Sequence, residues 1–287
     1  IMASSNSLNP PLSTPHLSVA GRVFVITGGT QGLGKEIARL LKAQGAAGLV
    51  LASRTQRNGE EACSELNGDG CKCVWVQTDL SKAEDASTVI PKAAQVMKDV
   101  APISGVVNAA ATTARGNLFT TTADDFDSQM NINVRAPFLV TQAAAKNMIE
   151  SSVQGASIVN IASCAAHGGA PFIMAYSAAK AALVVLTKNN AAELAPHKIR
   201  VNAINMGWTV TDNERKIQEV EHVEGANWLQ SADAGVPLGR ILRPTDVATT
   251  VVFLLSGASA MMTGSTLELH PEWPDGLIST SAKACRR

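Results

Sequence analysis

Neither sign of charge is in excess in this chain, cysteine is sparse and unpaired, and no apolar run is long. Lys and Arg number 24 against 24 Asp and Glu, so the composition gives no support to a polyanion partner such as nucleic acid. The five cysteines, Cys63, Cys71, Cys73, Cys164 and Cys285, are an odd number without a paired framework; they fit a reducing, cytoplasmic setting rather than a disulfide scaffold. Cys71 and Cys73 have no second pair or histidine beside them and read as one face of a strand, so no metal is expected. His16, His197, His222 and His270 show no ligand spacing either. No stretch approaches the roughly 18 apolar residues that span a bilayer, and no membrane partner is expected. Residues 1–20 hold no Asp, Glu, Lys or Arg but five Ser and three Pro. They lack both the apolar content to fold and the arginines of a targeting peptide, and read as a disordered tail.

What is present is an alternation of strands and helices long enough for one domain, residues 21–287, at 46% hydrophobic content. It opens on Arg22-Val-Phe-Val-Ile-Thr-Gly-Gly-Thr-Gln-Gly-Leu-Gly34. Phe24, Val25 and Ile26 make a strand apolar on both faces, as in a parallel sheet covered on each side. Leu33, Ile37, Leu40 and Leu41 then recur at helical spacing. Between them Gly28, Gly32 and Gly34 allow a sharp turn, and their missing side chains leave room for a pyrophosphate at the positive end of the helix.

A second strand, Gly48–Ser53, ends at Arg54, twenty residues past Gly34. An acidic residue about there bonds the ribose 2′-hydroxyl of NAD, whereas an Arg pairs with the 2′-phosphate of NADP, so Ser53-Arg54-Thr55 favours NADP(H) over NAD(H). Further strands are expected at Cys71–Gln77, Ile103–Asn108, Ser157–Ile161, Ile199–Ile204 and Met262–Leu267. Helices are expected at Glu60–Leu66, Ala83–Lys98, Asp124–Glu150 and Tyr176–Glu193, with Pro137 kinking the third; Asp79 or Ser81 is placed to cap the second. The fold class is therefore α/β, a single doubly wound parallel sheet of about seven strands with helices on both faces. Residues 208–235 are polar with scattered apolar anchors at Trp208, Val220, Val223, Trp228 and Leu229, and read as a mobile substrate lid.

Ser163 stands just past the fifth strand, where such sheets place their ligands. Thirteen residues later comes Tyr176, the chain's only tyrosine, and Lys180 is four further on, one turn along the same helix face. A carbonyl that receives a hydride becomes an alkoxide and needs a proton. A phenol, with a free pKa of about 10, supplies it, and the Lys180 ammonium together with a positive nicotinamide ring is expected to lower that value, while Ser163 donates a hydrogen bond to the alkoxide. His167 and Cys164 flank the Ser163 loop. Nothing in the sequence places a carboxylate beside His167, which reads as loop surface.

Thr27-Gly28-x-x-x-Gly32-x-Gly34, Asn131-Ile-Asn133, Ser163 and Tyr176-x-x-x-Lys180, in that order, resemble the short-chain dehydrogenase/reductase family over about residues 20–270. The resemblance implies a Rossmann-type sheet, a nicotinamide dinucleotide, and a catalytic set of Asn133, Ser163, Tyr176 and Lys180, with the Asn133 backbone holding a water that feeds protons toward the lysine. It implies cofactor contacts at Gly28, Thr30, Gln31, Gly32, Leu33 and Gly34 of the turn, and at Ser53, Arg54 and Thr55 after the second strand. Asp79 and Leu80 fall at the adenine, Asn108, Ala109 and Ala110 near the ribose, and Gly207, Thr209 and Thr211, with Tyr176 and Lys180, toward the nicotinamide. Three positions depart from the family's usual pattern: Ala111 and Met206 replace a glycine and a proline, and the segment from Glu268 replaces Val-Asp-Gly-Gly. The expected activity is NADP(H)-dependent interconversion of a secondary alcohol and a ketone, or of an aldehyde and its alcohol, on a small-molecule substrate. The expected assembly is a homo-oligomer, dimer or tetramer, through helices 124–150 and 176–193. Two alternatives stand beside it: an NAD-dependent sugar or polyol dehydrogenase, suggested by the polar lid, and a catalytically silent dinucleotide-binding regulator.

Overall fold

The computed structural model describes residues 17–221 and 227–271. Strand β1 (Val23–Thr27) is buried along its whole length, because successive side chains leave on opposite faces and both faces are covered. Phe24 and Ile26 join the core shared with helix α1 (Gly32–Ala43), helix α2 (Gln56–Leu66) and helix α9 (Pro244–Leu255); Val23 and Val25 join the core shared with helix α3 (Ala83–Met97), helix α5 (Ala136–Glu150) and helix α6 (Met174–Leu194). The other strands are β2 (Gly48–Ser53), β3 (Lys72–Gln77), β4 (Ile103–Asn108), β5 (Ser157–Ile161), β6 (Arg200–Met206) and β7 (Thr266–Leu269). They form one seven-stranded sheet in the order β3-β2-β1-β4-β5-β6-β7, parallel at every pairing. The order reverses between β1 and β4, which opens a crevice at their carboxyl ends.

β2, β4 and β5 have the bounds expected from their apolar runs. Elsewhere pairing moves the ends. β3 starts after Cys71, which is held in a tight bridge with Gly68. β6 continues to Met206 because β7 pairs with it that far, Met206 opposite Leu269. β7 itself lies later than expected, since the Asn202 amide binds Met262 O and Ser265 N and holds that stretch as a turn. α2 begins four residues early, where Gln56–Glu60 and Arg57–Glu61 pair one turn apart. The tail is also shorter than expected at its inner end: Val19 is fully buried and its N–H donates to Gln44 O. Residues 1–16, with His16, lie outside the described residues, as do His222 and Cys285.

The long helix is interrupted, but not by a proline kink as expected. Helix α4 (Ala123–Met130), capped by Thr122 and Asp125, runs into a π turn, Asn131–Arg135, and then into α5. Ala136 N–H reaches back to Asn131 O, and Pro137, having no N–H, cannot donate to Asn133 O. The polar segment after β6 folds as helix α7 (Asp212–Glu221) and helix α8 (Trp228–Ala234). Trp228 is buried with Val210, Ala232, Val236 and Ile241, and Trp208 and Leu229 pack on them; the two indoles lie 5.8 Å apart. Trp228 thus belongs to a small third core rather than being a loose lid anchor. The Val220 side chain and Val223 lie outside the described residues.

Candidate active site

The glycine turn joins β1 to α1, but its three glycines serve different needs. Gly28, at φ +68°, lies so near β4 that a Cβ would sit 2.9 Å from Ala110 Cα, and at Gly34 a Cβ would meet Gly28 O at 2.2 Å. Both are small so that the chain can pack on itself. Only Gly32, at φ +50°, faces open space, with Thr211 Cβ the nearest atom at 4.0 Å; at Gly28 and Gly34 the missing side chain answers to backbone contact. Gln31, the N-cap of α1, makes no side-chain cap bond, leaving first-turn N–H groups to an anion; its amide accepts from Asn58. Thr30 is buried and Leu33 packs against the core. Thr27, which the sequence marked only as the residue before the turn, clamps two strand ends: its hydroxyl accepts from the Ala109 and Ala110 N–H groups at 3.1 and 3.2 Å.

Beyond β2, exposed Arg54 borders an open pocket of about 500 Å³ with Gln77, Asp79, Lys82, Asp85 and Lys92. Ser53 Oγ accepts from Trp75 Nε1 at 3.0 Å, and Thr55 is the N-cap residue of α2. Asp79 does not cap α3, and neither does Ser81; the N-cap residue is Lys82. Asp79 instead accepts from Ser81 N and Oγ, and those bonds, with Lys82 and Arg54 nearby, hold its carboxyl below the usual range. Leu80 is buried in the core. The Asn108 amide donates to Asn160 Oδ1 at 2.8 Å, and Asn160 donates to Thr187 at 2.9 Å, a buried row across β4, β5 and α6.

Ser163, at the end of β5, accepts from Ala165 N and so starts the 3₁₀ turn Cys164–His167. Its hydroxyl and that of Thr113 also bond the Tyr176 phenol. Lys180, one turn along α6, is 2% exposed; its Nζ donates to Ile161 O at 2.6 Å and lies 5.6 Å from the Tyr176 ring centroid. The protein alone therefore runs against the expected acidification. Burial pushes the phenol up to about 12, the Ser163 and Thr113 bonds pull it back, and the Cys164 and Glu214 charges add to the rise. Burial brings Lys180 down to about 8. The ammonium is turned to the Ile161 carbonyl, and desolvation is the largest influence on the phenol.

Asn133 is fully buried and not an exposed helix residue. Its Oδ1 accepts from Thr112 N at 3.2 Å and its Nδ2 donates to Thr112 O at 2.9 Å, a two-point clasp on the strap that carries Thr113. Gln129, four residues earlier and also buried, braces the same strap: its amide oxygen accepts from Ala114 N at 2.6 Å and its nitrogen donates to Thr112 O at 2.7 Å. Thr113 and Gln129 were missed in the sequence, although Gln129 shares a helix face with Asn133.

His167 is exposed loop surface as expected, but a carboxylate does lie beside it: Glu268 Oε2 is 3.0 Å from its Nε2, and Asn205 Nδ2 donates to Glu268 Oε1 at 2.8 Å. Asn205 and Glu268 face each other across β6 and β7, a pairing hidden by the misplaced seventh strand. Cys164 is buried. At Gly207 a Cβ would sit 2.5 Å from His270 Cβ, so close strand approach demands the glycine. Thr209 Oγ1 donates to Gly207 O, and Thr211 Oγ1 accepts from Glu214 N at the start of α7. Thr209 is buried, whereas Thr211 stands beside Gly32. Among the described residues no three His, Cys, Asp or Glu side chains are grouped to hold a metal, and no helix is long and apolar enough to cross a membrane.

Residues 28–269 match a family model described as enoyl-(acyl carrier protein) reductase. The chain is 36% identical to an L-xylulose reductase of Mus musculus over 88% of its own length and 96% of the relative's. It is 33% identical to carbonyl reductase [NADPH] 2 of Sus scrofa, again over 88% and 96%. Among solved structures, a short-chain type dehydrogenase/reductase from Mycobacterium ulcerans superposes with a TM-score of 0.78 at 28% identity, covering 88% of this chain and 89% of the other.

Proposed function

The chain belongs to the short-chain dehydrogenase/reductase family, whose members are oxidoreductases of alcohol and carbonyl groups with a nicotinamide dinucleotide, and we propose that it is an NADP(H)-dependent carbonyl reductase. The observation that carries this reading is the convergence on one phenol: Ser163 and Thr113 bond Tyr176 while Lys180 stands one turn away at the carboxyl edge of the sheet. The residues fit a dinucleotide, because α1 has an uncapped N-terminus beside the open face of Gly32. That group supplies the hydride and, when oxidised, a positive ring.

Ser163 Oγ holds the substrate oxygen by donating a hydrogen bond, and Tyr176 gives it the phenolic proton as the carbon receives the hydride. Burial keeps Tyr176 protonated across the neutral range, the form needed for reduction. Lys180, which titrates near 8, passes a proton to the phenolate afterwards. Asn133 acts in two ways: its side chain sets the strap bearing Thr113, and its carbonyl, to which Pro137 has no N–H to give, accepts from the water that refills Lys180. Arg54 pairs with the 2′-phosphate, which the exposed cation at the end of β2 and a relative named for NADPH support. Two copies associate through α4, α5 and α6, where Phe126, Phe138 and Val185 are 43%, 40% and 57% exposed.

Initial rates with NADPH and NADH against a carbonyl panel, for wild type and Arg54→Ala, test the assignment. The expected result is an NADPH preference that falls about tenfold or more in the variant; an NADH preference indifferent to Arg54 overturns it.

A further inference from the structure

Two buried cysteines that take no part in the proton path lie side by side between α2 and β3. Cys63 and Cys73 are 8% and 4% exposed, and the Cys73 thiol donates to Cys63 Sγ at 3.4 Å. Both are free thiols. One side chain holds their backbones: the Asn67 amide donates to Cys63 O and to Cys73 O, each at 2.9 Å, and accepts from Cys73 N–H at 2.8 Å. Bonded sulfurs stand about 2.05 Å apart, so the pair is short of a disulfide by about 1.4 Å. The hydrogen bond from Cys73 draws the Cys63 thiol below its usual value, while the same bond and burial push Cys73 up. Cys63, the more exposed and the more acidic, is the sulfur that an oxidant meets first.

α2 is also a wall of the dinucleotide site. Thr55, directly after Arg54, is its N-cap residue, and Asn58 Nδ2 donates to Gln31 Oε1 of the glycine turn at 3.1 Å. Gly59, one turn before Cys63, packs so tightly on β3 that a Cβ there would overlap the Trp75 ring. Trp75 leaves β3 on the same face as Cys73, two residues earlier, and donates to Ser53 Oγ at 3.0 Å. Drawing α2 and β3 together at the sulfurs therefore presses on Trp75, and through it on Ser53 and Arg54.

We propose that Cys63 and Cys73 are an oxidation site, at which a hydroperoxide forms a reversible disulfide that weakens NADPH binding. With hydrogen peroxide, the Cys63 sulfur takes one oxygen as the O–O bond breaks, giving a sulfenic acid and a water; the Cys73 sulfur then displaces that oxygen, giving the S–S bond and a second water. The two thiols lose two electrons and two protons, and one peroxide becomes two waters. A thiol reductant reverses the change. The effect on affinity rests on the NADP(H) reading, whereas the disulfide does not.

The test treats the whole protein with hydrogen peroxide, removes it, and titrates NADPH before and after dithiothreitol, alongside Cys63→Ala, Cys73→Ala and Cys71→Ala. Wild type and Cys71→Ala are expected to show a Cys63–Cys73 cross-link by peptide mass and to bind NADPH about fivefold or more weakly until reduced. Cys63→Ala and Cys73→Ala are expected to bind NADPH like the reduced wild type, which shows that they are folded, and to ignore peroxide. No cross-link in the wild type, a cross-link with unchanged affinity, or a response that persists in Cys63→Ala overturns the proposal. If the reduced wild type binds NADH and not NADPH, the NADP(H) reading falls alone, and the same titrations with NADH decide the switch.

Discussion

Lys180 carries its ammonium into the interior, and the consequence for stability is large enough to measure. Its pKa falls from the usual 10.5 to about 8 through burial; at 1.36 kcal/mol per unit, holding the charge inside costs about 3 kcal/mol. The folded-state value lies below the unfolded one. Below pH 8 both states keep the proton and the penalty is complete. Between pH 8 and 10.5 the folded protein releases the proton while the unfolded chain retains it, so stability rises with pH. Lys180→Met keeps most of the stem and removes the charge, but it strands Ile161 O, which loses a 2.6 Å donor, at a pH-independent cost of about 1–3 kcal/mol. At pH 7 the variant should therefore equal the wild type or exceed it by up to about 2 kcal/mol. That advantage should shrink by about 3 kcal/mol as pH rises to 10.5. Urea unfolding of both proteins across this range gives the difference directly, and groups common to both cancel. A difference that stays level from pH 7 to 10.5 would refute the buried ammonium.

Gly34→Ala should abolish NADPH binding, because its Cβ meets backbone at 2.2 Å, whereas Gly32→Ala should fold with a penalty of about 1–2 kcal/mol for left-handed backbone; calorimetric titration and thermal melts separate the two, and equal behaviour of both contradicts the turn as described. Thr113→Val removes one of the two hydrogen bonds that draw the phenol's pKa down. The alkaline limb of kcat for reduction should therefore move to higher pH, and a limb that stays or moves down contradicts the contact. Asn133→Ala frees the strap at Thr112 and should lower kcat about tenfold or more with NADPH affinity unchanged; wild-type kcat in the variant contradicts the clasp.

Much of this was legible in the chain because local pattern and tertiary role coincide. β2 and β4 are apolar runs that stop at polar residues, Ser53 and Asn108, and β5 is a short apolar run just before Ser163, so their ends needed no knowledge of neighbours. The spacing of Ser163, Tyr176 and Lys180 likewise follows from one strand end and one helical turn. What stayed hidden depends on partners far along the chain. β7 is placed by pairing with β6, not by its own hydropathy, and with it went the Glu268 carboxylate beside His167. Thr27 and Asn133 look like polar residues at ordinary positions; their buried bonds to Ala109, Ala110 and Thr112 exist only once β4 and its following strap are in place. The protein's own share of the charge balance at Tyr176 was hidden for the same reason. Spacing shows that an ammonium is near, but the burial that outweighs it belongs to the whole fold.

Single-turnover reduction by Tyr176→Phe with NADPH bound tests the central claim most directly, since the substitution removes one oxygen and little else. The account expects dinucleotide affinity close to wild type and a hydride-transfer rate lower by roughly 10²- to 10⁴-fold. A variant that reduces its substrate at the wild-type rate contradicts it.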